Sequence, residues 1–141
     1  MEDINALDEI HKGSCMGLDA INVLLEKELD TSLEKELKRE QKEYLKINKE
    51  IEKIYSKYDD GTPHETNALT KTMTRFDLDM KTLTDKSTSK YAEILLQGVN
   101  MGIIEGRKIL NNKPLNTEVK EILNNYVLMQ EKSVEILKQY L

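Results

Sequence analysis

The chain has 141 residues, of which 33% are charged, 38% apolar and 5% aromatic, with a net charge of −5, one cysteine and no Trp. That profile disfavours β-sandwiches, collagen-like chains and disulfide scaffolds, is too apolar for a disordered chain, and favours a single domain of long helices. The acidic balance disfavours nucleic acid and anionic membrane as partners, and the longest run without a charge, Ile94–Ile104, is 11 residues, too short to span a bilayer.

The first segment, Ile4 to Glu28, places Leu7, Ile10, Ser14, Gly17, Ile21 and Leu24 at helical spacing. The second, Ser32 to Tyr58, follows an N-cap at Asp30 or Thr31 and carries Leu33, Leu37, Glu40, Tyr44, Ile47, Ile51, Ile54 and Tyr58 on one stripe. Asp59-Asp60-Gly61-Thr62-Pro63 reads as a stop. A short third segment follows, with Leu69, Met73, Phe76, Met80 and Leu83 in register, and Asp85–Ser89 reads as a break, a kink or a fresh N-cap. The fourth, Thr88 to Asn111, aligns Ala92, Leu95, Val99, Gly102, Gly106 and Ile109, and ends at Asn111-Asn112-Lys113-Pro114. The fifth begins at Asn116 or Thr117 and runs to the C-terminus with Val119, Leu123, Tyr126, Gln130, Ser133, Leu137 and Tyr140 on its stripe.

The halves repeat. Gly13-Ser14-Cys15-Met16-Gly17 answers Gly98-Val99-Asn100-Met101-Gly102 at an offset of 85, and at that offset Ile10 matches Leu95 and Leu24 matches Ile109. In the partner segments Leu33, Leu37 and Ile51 match Val119, Leu123 and Leu137. The sequence therefore predicts an all-α, antiparallel four-helix bundle over 1–141: a hairpin at 4–58, a crossover with its own short helix at 59–87, and a second hairpin at 88–141. Each main helix would be roughly 38 Å long.

The segments IHKGSCMGLDAINVLL, DKSTSKYAEILLQGVNMGI and EKSVEILKQYL resemble a domain-of-unknown-function family of ferritin-like proteins from low-GC Firmicutes, and 18 Lys against 3 Arg suits such a genome. The resemblance covers nearly the whole chain. It implies the ferritin-like fold and carries no reaction with it.

Five glycines within predicted helices would cost on the order of 4–5 kcal/mol against alanine. Something should offset that cost. Gly13, Gly17, Gly98 and Gly102, with Met16 and Met101 one step away, are expected to pack helices closely, either the first against the fourth inside one chain or across a homodimer seam. Ser14, Glu40, Tyr44, Tyr126, Gln130 and Ser133 fall at mid-bundle and are expected to form a polar layer inside the core.

A ferritin-like di-metal centre needs a Glu on two helices and Glu-x-x-His on the two others. The chain has no Glu-x-x-His; the second segment offers Glu40-Gln41-Lys42-Glu43. Glu40, Glu43 and His11 remain the candidate ligands for Fe or Mn, although the expectation is that no cofactor is bound and no catalytic residue is present. Cys15, with no second cysteine or basic cluster beside it, is expected to fill space. The opening Met1-Glu2-Asp3 lacks a basic-then-apolar leader, and one cysteine cannot form an internal disulfide, which together set the expectation of a cytoplasmic protein. The leading expectation is a non-catalytic bundle acting through protein–protein association as a homodimer, with an unidentified protein as the further partner. The alternative is a bundle that binds a metal or a small ligand.

Overall fold

The computed structural model describes residues 2–58, 76 and 78–141. Four long helices dominate them: α1 (Glu2–Leu25), α2 (Thr31–Tyr55), α3 (Thr88–Asn112) and α4 (Thr117–Leu137), the last followed by a 3-10 turn at Lys138–Tyr140. Their starts follow from local chemistry. Asp30 caps α2, its carboxylate accepting from the Ser32 and Leu33 amides at 3.1 and 3.3 Å. Ser87 caps α3 by accepting from the Lys90 amide at 3.1 Å. Caps of this kind are worth about 1 kcal/mol each.

The helices form two hairpins. α1 packs most extensively on α2, and α3 on α4; smaller contacts join α1 to α3 and α4, and α2 to α4. Contacts at the ends give the directions. Glu2, at the start of α1, lies 3.9 Å from Lys113 just beyond α3, and Asp3 accepts from the Asn116 amide at 2.8 Å. Lys57 and Tyr58, just beyond α2, both donate to Glu118 at the start of α4, at 3.0 and 3.1 Å. At the opposite end Ser32 Oγ lies 2.7 Å from Tyr140 Oη. Neighbours α1/α3 and α2/α4 are thus antiparallel, and the chain between Tyr58 and Thr88 joins opposite ends of the bundle.

Leu7, Leu24, Leu33, Leu37, Ile51, Leu123 and Leu137 have no exposed surface and define the core. Removing such a side chain typically costs 2–5 kcal/mol, through lost burial and the cavity it leaves. Near the end of α2 the buried face steps from Ile51 to Tyr55, while Ile54 and Tyr58, expected on the stripe, are only partly buried. Of the third segment, residues 78–82 are helical, Met80 is buried in the core, and Phe76 and Leu83 pack against it. Residues 83–87 are not helical, so this helix is separate from α3; Asp85 accepts from the Ser87 amide at 3.0 Å across the break. Leu69, Met73, His64 and the expected stop at 59–63 lie outside the described residues. Among the described residues no helix is long and apolar enough to cross a membrane.

Candidate functional site

Four of the five helix glycines face side chains of neighbouring helices. A methyl group placed on Gly17 would lie 2.6 Å from the Tyr44 ring, and one on Gly13 or Gly102 would lie 2.6 or 2.9 Å from the Tyr126 hydroxyl. At Gly106 the obstacle is Val127, 2.5 Å away. Gly98 has nothing within 4 Å among the described residues. The expectation was close approach of glycine-bearing helices. The structure instead uses Gly13, Gly17 and Gly102 to seat two tyrosines from α2 and α4, whose rings occupy the space a side chain would take.

Between α1 and α3 this leaves a cavity of about 420 Å³. All five helix glycines line it, and Tyr44, Tyr126, Gln130 and Glu40 form its inner wall. Ile10, Leu95, Val99 and Phe76 make most of the rest of it apolar, and Met16 and Met101 also line it. Glu9, Lys12 and Glu105 supply its charged margin. The size and character, largely apolar with a few converging polar groups, are those of a small-molecule site.

The polar wall contains two hydrogen-bonded pairs. Gln130 Nε2 donates to Tyr44 Oη at 2.8 Å, with Oε1 3.2 Å from the same hydroxyl. These two residues are 86 apart, the offset at which the second and fifth segments repeat (Leu33 to Val119), so repeat-equivalent positions meet where the hairpins join. Ser133 Oγ donates to Glu40 Oε1 at 2.5 Å. Ser14, Glu40, Gln130 and Ser133 are the buried polar side chains among the described residues, each at most 4% exposed. The Glu40 Oε2 and Ser14 Oγ atoms have no hydrogen-bond partner among the described residues. The six residues expected in a polar layer are therefore all buried, but four of them bond as two pairs, with Ser14 and Tyr126 outside both.

Burial pushes the Glu40 carboxyl up to about 7; the Ser133 hydrogen bond opposes this, and the neighbouring Glu36 carboxylate adds to it. Burial also lifts the Tyr44 and Tyr126 phenols well above their ordinary value, so both stay neutral at physiological pH. The wall thus offers one titratable carboxyl, two phenols and an amide.

The chain matches no protein-family model, no curated protein and no solved structure.

The three candidate metal ligands go to different places. Glu40 lies on the inner wall. Glu43 is half-exposed and lies 3.9 Å from Arg39, which is also held by Glu36. His11 lies beside Cys15, with Sγ 3.6 Å from Nε2, in a part-buried contact one turn along α1. Among the described residues no three His, Cys, Asp or Glu side chains converge. One carboxylate, a serine, an amide and two phenols do not fit the carboxylate-and-imidazole set of a di-metal centre.

The cavity itself, with its margin of Glu9, Lys12 and Glu105, was missed by reading stripes one helix at a time. The signal that could have revealed it is a complementarity between stripes: Gly17 and Tyr44 in one half, Gly102 and Tyr126 in the other, small against large at mid-bundle.

Proposed function

We propose that the chain is a non-catalytic binding bundle of ferritin-like architecture whose working site is the groove between α1 and α3. The antiparallel hairpins, with a connection joining opposite ends, support the architecture. The observation that carries the binding reading is the convergence of all five helix glycines on one cavity. Each glycine weakens its helix by about 1 kcal/mol, and at Gly98 no neighbour among the described residues excludes a side chain. Keeping space open accounts for that glycine where packing does not. An inner wall of one carboxyl, two neutral phenols and an amide suits holding a molecule more than transforming it. A reducing, cytoplasmic setting belongs to the same reading, supported by the single cysteine.

The test is a fragment screen by ligand-observed NMR on the wild type and on Gly98→Phe, which places a ring at the open position. Apolar fragments should bind the wild type and be displaced or weakened at least tenfold by the substitution. Binding that is indifferent to Gly98→Phe would place the ligands elsewhere and refute the reading.

A homodimer is the second reading, supported by Met101 and Ile104, which are 64% and 52% exposed on α3 beside the groove. Sedimentation equilibrium should then show a dimer at micromolar concentration that Met101→Lys converts to monomer. A monomer at all concentrations would remove it.

A further inference from the structure

The inner wall holds a group whose bonding is incomplete. Glu40 lines the cavity and is 4% exposed. Its Oε1 accepts from Ser133, and its Oε2 is buried with no partner among the described residues. A buried carboxylate oxygen left this way is costly, and an incoming donor, above all a charged one, relieves the cost. The cation that acts on it from its own helix, Arg39, is engaged by Glu36 through contacts of 2.6–3.1 Å, is about one-third exposed and is not among the described residues that line the cavity.

The surroundings favour the same sign of charge. Three glutamates (Glu9, Glu40 and Glu105) and one lysine (Lys12) line the cavity. Two tyrosines also line it, and neutral phenol rings attract a cation through their faces. An anion would meet three carboxylates there. The remaining wall, from Ile10, Leu95 and Val99 to Phe76, is apolar and matches a hydrocarbon or aromatic body.

We propose that the groove binds an amphipathic organic cation, with its ammonium group against Glu40 and its apolar body along the glycine-lined wall. This rests on the groove being a binding site, as argued above, and adds the chemical class of the ligand. Burial raises the proton affinity of Glu40, so a bound ammonium also favours its ionised form. Ser133 then orients the carboxylate from α4, and Tyr44 and Tyr126 flank it. Length is limited by a cavity of about 420 Å³, which excludes long-chain lipids and suits a ligand of one or two rings or a short chain.

The experiment is isothermal titration calorimetry at pH 8 with three probes sharing one skeleton: 4-phenylbutylammonium, 4-phenylbutanol and 4-phenylbutyrate. The expected result is at least tenfold tighter binding of the ammonium than of the alcohol, with the carboxylate weakest. In Glu40→Gln the ratio of ammonium to alcohol affinity should fall to about one. Equal binding of ammonium and alcohol by the wild type would overturn this inference while leaving the groove as a binding site. An ammonium preference that survives in Glu40→Gln would overturn it equally, because the carboxylate would not be its source. Binding of none of the three would overturn the groove reading and this inference with it.

Discussion

Replacing Glu40 by Gln should change stability by an amount that depends on pH, and the sign follows from the site. Burial lifts the carboxyl from its usual 4.5 to about 7 in the folded chain. Between those values the native state keeps a proton that the unfolded state has lost, so stability falls as pH rises through the window and levels off above it. The full penalty is about 3 kcal/mol at 1.36 kcal/mol per pH unit. Between pH 5 and pH 8.5 the part still to be lost is about 2.5 kcal/mol. Glutamine has no proton to lose, and its amide oxygen can still accept from Ser133. The variant should therefore match the wild type within about 1 kcal/mol at pH 5 and exceed it by roughly 2–3 kcal/mol at pH 8.5. That corresponds to roughly 8 °C in Tm for a chain of this size. The other ionisable groups that act on Glu40 are Glu36 and Arg39 on its own helix, with the Tyr44 phenol on the same wall; Arg39 and Tyr44 are common to both proteins, and the Glu36 contribution is removed together with the Glu40 charge. Urea denaturation of both proteins at the two pH values reads the effect. A difference that stays constant with pH would show that Glu40 is not held in a desolvated wall, and the account of the site would fail with it.

Two further predictions follow from the same wall. Gly98→Ala should stabilise the fold by about 1 kcal/mol, because it improves the helix and meets nothing among the described residues. Gly17→Ala should destabilise by about 1–3 kcal/mol, because its methyl meets the Tyr44 ring at 2.6 Å and Tyr44 is buried and tied to Gln130; thermal melts that rank the two the other way would contradict the glycine assignments. Tyr44→Phe should cost about 1–3 kcal/mol by leaving the Gln130 amide buried and unpaired, and adding Gln130→Leu should restore most of it, as a double-mutant cycle in urea would show.

Much of the fold was legible because it rests on local rules. Stripes stepping by three and four gave the four long helices, and the polar side chains of Asp30 and Ser87 marked where α2 and α3 begin. The break before α3 was one of three readings of Asp85–Ser89, beside a kink and a fresh N-cap; the structure leaves 83–87 outside both helices and uses Ser87 as the cap. The polar stripe residues Ser14, Glu40, Gln130 and Ser133 stood out because they interrupt apolar positions, and all four are buried. What could not be read helix by helix was the use of the glycines. Periodicity places Gly17 and Gly102 on inward faces, but it does not say whether another backbone, a tyrosine or a void fills the space beside them. That depends on the size of side chains 27 and 24 residues away, Tyr44 and Tyr126. The switch of the buried face from Ile51 to Tyr55 was lost for a related reason. Steps of three and four from Ile51 are equally allowed along one helix, and the packing of the adjacent hairpin decides between them.

The most direct test of the central claim is a ¹⁵N–¹H correlation spectrum of the labelled protein titrated with 4-phenylbutylammonium. Glycine amides resonate in their own region, and five of the six glycines line the groove. The account predicts saturable shifts of Gly13, Gly17, Gly98, Gly102 and Gly106, with Gly98 among the largest because its surroundings are open. Unshifted glycines, with changes confined to other surfaces or absent, would contradict the assignment of the groove as the binding site.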